Sequence, residues 1–313
     1  MRILLAGASG AIGRTLIPML VNEGHEVFGA FRNPANAPRV QALGATPVVL
    51  DALDSDAVFK TVTEIKPNAV IHQLTAIPAA LDLRHIDRDF ELTNRLRTEG
   101  TRNLAAAAVK AGAEKFIAQS FAGWPYAPKG IRLKTEEDAL DPSPAPKLKA
   151  MLDAIETLEH TVTREQGFTG IVLRYGPFYG PGSAIASDGP MVKEIREHKI
   201  PIVGQGTGVW SFIHLHDAST ATVAALTHAQ RGLYNIVDDD PAPVAEWLPF
   251  LAECVGAKPP SHVPAIAAKM MIGEHAVTMM NDIRGVSNEK ARRELQWNLK
   301  WPSWRQGFRE GLG

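Results

Sequence analysis

Three glycines near the start of the chain, Gly7, Gly10 and Gly13, stand three residues apart in Gly7-Ala8-Ser9-Gly10-Ala11-Ile12-Gly13-Arg14. The chemistry that such spacing serves is the capture of a pyrophosphate. One glycine makes a tight turn, a second lets the backbone approach the anion, and a third lets a helix pack closely on a strand. The loop needs a strand before it and a helix after it, and both are predicted. Ile3 to Ala6 form an unbroken apolar run, and Leu16, Ile17 and Leu20 recur at helical spacing. The helix start then offers free N–H groups and the positive end of its dipole. A dinucleotide is the ligand these residues point to.

Which dinucleotide turns on the end of the second strand. An acid there accepts a hydrogen bond from the ribose 2′-hydroxyl, whereas an Arg accommodates a 2′-phosphate. The sequence is Gly29-Ala30-Phe31-Arg32-Asn33-Pro34, with Phe31 at the acidic position and Arg32 as the charge-assisted donor. Arg14 opens the first helix beside the same site. NADP(H) is therefore favoured over NAD(H), against the alternative that both arginines are ordinary surface residues.

The elements that must position these residues alternate as a parallel sheet requires. Further strands are predicted over 25–31, 47–50, 68–72, 115–118 and 170–173, with helices over about 54–65, 90–111 and 151–166. The fold class expected is α/β, a doubly wound parallel Rossmann sheet with a smaller C-terminal substrate-binding domain. Residues 1–175 make up the dinucleotide-binding domain, with return elements at about 209–237, and residues 176–313 mainly the smaller domain. The turn-rich stretch Gly176-Pro177-Phe178-Tyr179-Gly180-Pro181-Gly182 marks the change of rhythm.

Composition fits a folded enzyme. The chain has 313 residues, 45% of them hydrophobic, with 33 Lys plus Arg against 34 Asp plus Glu. That balance gives no support for a nucleic-acid or anionic-membrane partner, so any anion must be captured locally. One cysteine, Cys254, excludes an internal disulfide and reads as a packed thiol. No apolar run reaches membrane-spanning length, no leader is apparent, and the expected location is the cytoplasm. His214, His216 and Asp217 invite a metal reading, but a structural role is preferred and no metal is expected. Asp238-Asp239-Asp240 is expected to cap a helix beginning near Val244.

Seven ordered pieces carry a family resemblance: the glycine loop; Val49-Leu-Asp51-Ala-Leu; Val70-Ile-His-Gln-Leu; Asn94 with Gly100-Thr-Arg-Asn-Leu104; Leu173-Arg-Tyr-Gly-Pro-Phe-Tyr-Gly-Pro-Gly182; Ile213-His-Leu-His-Asp217; and Tyr234-Asn-Ile-Val. The terminal Ser287 to Trp297 stretch fits as well. With these the chain resembles the extended short-chain dehydrogenase/reductase superfamily, the branch that holds NAD-dependent epimerases and dehydratases. The resemblance implies that Gly7, Ser9, Gly10, Ala11, Ile12 and Gly13 lie along the pyrophosphate, and that Asp51 and Ala52 meet the adenine. It places Leu74 and Thr75 near the ribose, Asn94 on the far side, and Tyr175, Pro177 and Phe178 at the turn that approaches the nicotinamide.

The same resemblance exposes a departure. The family carries a Tyr-x-x-x-Lys pair on the helix after the fifth strand, the Tyr acting as general acid/base. With Glu156 as the reference the two positions hold Leu148 and Leu152; with Glu159 they hold Met151 and Ile155. No register restores the pair, and neither residue type transfers a proton. Ser120 and Tyr126 are the replacement candidates: Ser120 orienting a carbonyl or satisfying a strand end, Tyr126 supplying a proton or packing as an aromatic. Trp124, Tyr179 and Trp210 are the substrate-side candidates. Trp210 occupies the region where nucleotide-sugar enzymes of the family carry an arginine, which implies a less anionic, more apolar small-molecule substrate. The reading is an atypical NAD(P)-dependent oxidoreductase that reduces a carbonyl or enone-type group. An epimerase, isomerase or dehydratase, and a non-catalytic NADP-binding regulator, are the alternatives. A homodimer is expected from the resemblance alone.

Overall fold

The computed structural model describes residues 1–78, 81–131 and 133–313. Its centre is a sheet of seven strands: β1 (Arg2–Ala6), β2 (Glu26–Phe31), β3 (Thr46–Val49), β4 (Ala69–His72), β5 (Lys115–Phe121), β6 (Thr169–Tyr175) and β7 (Gly232–Ile236). All pair in parallel, in the order β7-β6-β5-β4-β1-β2-β3. The chain steps outward from β1 to β3 and then returns to the other side of β1. Ala6 pairs level with Ala30 and with His72, so the carboxyl ends of β1, β2 and β4 finish together around a crevice at the reversal of strand order.

Both faces of the sheet are covered because both faces are apolar. Successive side chains of a strand point to opposite sides. Ile3 and Leu5 accordingly join one cluster, with Ile12, Leu16 and Leu20 of α1 (Ala11–Asn22) and Ala218, Ala221 and Ala225 of a helix at 215–228. Leu4 and Ala6 join the other, with Val58 and Val62 of a helix at 55–65, Leu104 and Ala108 of one at 101–111, and Leu158 and Val162 of α2 (Lys149–Arg164). Between them the two clusters bury continuous hydrophobic runs on the central strands β1 and β4, as parallel sheets require.

Three differences from the sequence pattern have physical causes. The helix expected over 90–111 is interrupted by a π-turn at Leu96–Gly100, where Gly100 lies against Ala52. β5 and β6 run three and two residues beyond their apolar stretches, because Ser120 pairs in register with Arg174 and both are satisfied by Glu159 of α2. The seventh strand comes from the return segment. Beyond Tyr175 a separate aromatic cluster forms around Tyr179, Phe212, Trp247, Trp304 and Phe308. No helix among the described residues is long and apolar enough to cross a membrane.

Candidate cofactor and substrate site

The glycine turn is built so that only glycine fits. Gly7 has φ +98°, and a Cβ there would lie 2.7 Å from the Gln73 carbonyl oxygen. A Cβ on Gly13 would lie 2.4 Å from the Gly7 oxygen, so α1 could not approach β1. The amides of Gly7 and Ala8 both donate to Ala30 O, and Gly10 N donates to Gly7 O, which fixes the turn against β2. α1 begins at Gly10 with no capping side chain and no acid in its first turn. Its first N–H groups are thus left for an external anion, the arrangement that suits a pyrophosphate.

At the end of β2 the side chain of Phe31 turns into the core and Arg32 faces solvent. Two more arginines stand near each other beside the glycine turn. Arg14 is held by Gly10 O and reaches toward Gly182 O, and burial together with the neighbouring Arg39 lowers its pKa. Arg39, on a short helix at 37–42, is a residue that sequence reasoning missed, since nothing in its local pattern sets it apart from a surface arginine. Arg14 and Arg39 together make the start of α1 positively charged.

The remaining cofactor candidates fall on neighbouring strand ends. Asp51 closes its own turn, its Oδ1 accepting from Leu53 N, and Ala52 O accepts from Asn103 Nδ2. Leu74 N donates to His72 Nδ1, and Thr75 follows, exposed. Asn94 carries a buried Oδ1 without a hydrogen-bond partner. A buried acceptor left open costs free energy unless a ligand or water supplies a donor, so the residues present fit a bound dinucleotide. Pro177 O accepts from Ile213 N, and Phe178 lies half-buried beside Tyr175, so this turn is anchored to the segment that returns at 213.

The hydroxyl groups expected to do chemistry are placed elsewhere. Tyr126 is 1% exposed; its Oη donates to Asn235 Oδ1 at 2.8 Å and accepts from Arg174 at 2.7 Å. Burial pushes its pKa up to about 12. Ser120 Oγ donates to Glu159 Oε1 at 2.7 Å, the same carboxylate that pairs with Arg174. Both residues therefore belong to a buried polar anchor, not to an open surface. Tyr175 is likewise enclosed, its hydroxyl held by Thr222 and Gln73. Tyr179, the expected substrate contact, packs between His214 and Phe308 against Gly307, with its hydroxyl buried and unpartnered. The C-terminal helix at 304–310 covers it, a long-range contact with no local sequence signal.

The two glutamates that give the alternative registers differ: Glu156 is exposed, whereas Glu159 is buried and holds both strand ends. In either register the residues are apolar: Leu148, Met151, Leu152 and Ile155 pack with Trp124, Ile86, Phe90 and Ile283. Trp210 and Met279 border the same cluster, and Trp210 Nε1 donates to Met279 O at 2.9 Å. Trp124 and Trp210 thus both border one buried apolar cluster beside the end of β5.

Several other groups are structural. His214 caps the helix at 215–228 through Nδ1, so His216 lies in that helix and not along an extended strand. Asp217 accepts from Lys300 N and Trp301 N. Asp238 does not cap the helix at 244–254: Pro243 holds that position, and Asp238 is buried, with its carboxyl held well above the usual range by burial. Asp239 pairs with Arg292 and Asp240 with Arg305.

A sequence profile of the NAD dependent epimerase/dehydratase family matches residues 3–237. The chain belongs to that family. It is a nicotinamide-dinucleotide-dependent oxidoreductase. Among relatives of this family member, a 3-diazoavenalumate denitrifying reductase from a Streptomyces species is 40% identical over 309 residues, covering 98% of this chain and 99% of its own. A 4-hydroxy-2-methyl-3-oxo-4-farnesyl-3,4-dihydroquinoline-1-oxide ketoreductase from Stigmatella aurantiaca is 26% identical over 315 residues, covering 94% and 91%. The fold is that of the UDP-glucose 4-epimerase of Thermotoga maritima, with a TM-score of 0.78 at 21% identity, covering 100% of this chain and 97% of that one.

Proposed function

We propose that this family member is an NADPH-dependent reductase of a small, apolar, conjugated metabolite. The observation that carries the reading is the buried apolar cluster of Trp124, Leu148, Met151 and Leu152, bordered by the half-buried Trp210, on the helix segment where the resemblance puts the acid/base pair. A nucleotide sugar needs charged and hydrogen-bonding partners that this cluster does not offer, whereas an aromatic or polyene body gains free energy by burial against its edge. The Streptomyces relative, named for a diazo compound, makes diazo-bearing substrates part of the expected class. A carbonyl or enone is the second reading, favoured by the ketoreductase relative.

When bound, the reduced nicotinamide supplies hydride. The chain's own residues do the rest. Gly7, Ser9, Gly10, Ala11, Ile12 and Gly13 hold the pyrophosphate; Arg32, with Arg14 and Arg39, holds the 2′-phosphate; Asp51 and Ala52 border the adenine; Leu74, Thr75 and Asn94 border the ribose. Pro177 and Phe178 back the nicotinamide, and residues 176–313 supply most of the cover over the substrate. The decisive experiment follows absorbance of NADPH and of NADH in a panel of conjugated ketones, enones and diazo compounds. Oxidation of NADPH in preference to NADH is expected. Turnover of substrate without net oxidation of either dinucleotide would replace the reductase by an isomerase.

A further inference from the structure

We infer that the buried guanidinium of Arg97 receives a carboxylate carried by the substrate, so that the apolar, conjugated body bound here also bears one negative charge. This deepens the reductase reading above and rests on it for the ligand's role as hydride acceptor. Arg97 belongs to the π-turn at Leu96–Gly100, an interruption of the kind that recurs at functional sites. Leu96 joins the apolar cluster on one face of the sheet, and Arg97, 5% exposed, is buried beside Glu159. Its Nη1 is fully enclosed without a hydrogen-bond partner, and among the described residues nothing pairs with its side chain. Burial lowers its pKa to about 10, so it stays a cation at neutral pH.

The neighbouring carboxylates are engaged or in solvent. Both oxygens of Glu159 are taken, Oε1 by Ser120 and Arg174 and Oε2 by Arg174. Asp89 pairs with Arg88 and accepts from Asp82 N, Glu99 pairs with Arg95, and Asp87 and Glu91 are exposed. Glu136, the other carboxylate that Arg174 feels, is half-buried and accepts from Asn235 N. Two buried guanidinium groups thus share one buried carboxylate, and a single positive charge is left over away from water. Such a charge is strongly destabilising until an anion meets it.

The position of Arg97 says which anion. The glycine turn that suits a pyrophosphate follows β1, whereas Arg97 stands by the ends of β4 and β5: His72, the last residue of β4, feels its charge, and Glu159 links it to Ser120 of β5. Two enclosed acceptors without partners flank it, Gln73 Oε1 just past β4 and Asn94 Oδ1 three residues earlier in the chain. In a sheet of this kind the carboxyl ends of the strands border the ligand. Ile155, one turn before Glu159 on α2, belongs to the apolar cluster, so charge and apolar edge adjoin. A guanidinium with its N–H groups free presents a fork that a carboxylate meets with two parallel bonds. One carboxylate also cancels the one surplus charge, where a phosphate monoester would exceed it.

The test titrates the full-length protein, saturated with NADP+, with biphenyl-4-carboxylate and with the neutral biphenyl-4-carboxamide in a calorimeter. The carboxylate should bind about tenfold more tightly or better, the low end of what a hydrogen bond to a charged group contributes. In R97M that preference should vanish while NADP+ binds as before, and R97K should keep part of it. Because R97M removes an uncompensated charge, it should resist urea at least as well as the parent; an arginine with a purely structural task would leave it weaker. With NADPH, 4-carboxybenzalacetone should show a lower KM than its methyl ester in the parent and an equal one in R97M. Equal binding of carboxylate and carboxamide by the parent overturns the inference, and oxidation of NADPH by the methyl ester then leaves the reductase reading standing. Weaker NADP+ binding in R97M assigns the guanidinium to the dinucleotide and overturns it as well. So does a fall in kcat alone for both enones, which places the charge in the transition state. Selective, Arg97-dependent binding of the carboxylate without oxidation of NADPH by any compound removes the reductase reading and leaves the anion site.

Discussion

Replacing Arg32 by Glu tests the cofactor preference where charge alone should decide it. Arg32 is exposed at the end of β2, so its bond to a 2′-phosphate belongs at the low end of the range for charged hydrogen bonds, about 1.5 kcal/mol. The substituted carboxylate adds repulsion against a group of nearly two negative charges, about 2 kcal/mol at contact distance in a water-like dielectric. The sum of about 3.5 kcal/mol predicts about a 300-fold weaker NADPH dissociation constant. Arg32→Ala forfeits only the first part, about a tenfold loss. Arg14 and Arg39 remain in both variants and keep NADPH binding measurable. NADH, which has no 2′-phosphate, should change less than twofold. Titration of tryptophan fluorescence at low and at high salt measures both dinucleotides, and the NADPH penalty should shrink as salt screens it. Equal losses for NADPH and NADH in R32E would refute the assignment of this edge to the 2′-phosphate.

Two further outcomes follow from buried charge. Burial lowers the His72 pKa from 6.5 to about 4, and the ring is neutral in the folded protein at pH 7. Below pH 6.5 the unfolded chain takes up a proton that the folded chain refuses, so this contribution is complete above pH 6.5 and fades as pH falls toward 4. It amounts to about 3 kcal/mol over the whole window, about 2 of them between pH 7 and pH 5. Urea unfolding should show that loss in the parent, and His72→Asn should reduce the difference between the two pH values; an undiminished difference would assign the acid sensitivity to other groups. Glu159→Leu removes the partner of Arg174 and the acceptor of Ser120, and should cost about 3–5 kcal/mol in the same assay. In E159L/R174M the uncompensated Arg174 charge is gone as well, so part of the stability should return; no recovery would mean that packing, not charge, sets the cost.

The parts of the site that sequence made legible are those whose physics is local. The glycine turn announces itself because strand, turn and helix occupy fourteen consecutive residues, and their steric demands at Gly7 and Gly13 come from backbone atoms nearby or on the next strand. The order of strands follows from alternating apolar runs, and the ends of β1, β2 and β4 come together by register alone. The tyrosines were not legible for the opposite reason. Whether Tyr126 faces a substrate or Arg174 depends on a contact 48 residues away, and the fate of Tyr179 depends on Gly307 and Phe308 near the far end of the chain. Arg39 and Arg97 were missed because an arginine's task is set by what it meets in space. The apolar character of Leu148, Met151, Leu152 and Ile155 was plain in the sequence, but that Glu159 anchors two strand ends while Glu156 faces solvent depends on contacts across the fold.

That last point explains how one half of an ancestral site can change while the other holds still. On α2 the anchoring residue and the chemical residues are separate: Glu159 lies one turn beyond Ile155 and two beyond Met151. Glu159 fixes the ends of β5 and β6 through Ser120 and Arg174, which lie level with each other in the sheet. Substitution at Met151 or Ile155 changes the buried cluster on that helix without touching that anchor, and an apolar residue there adds burial to the helix where a lysine would be desolvated. The frame that positions a dinucleotide is thus energetically independent of the residues that would move a proton.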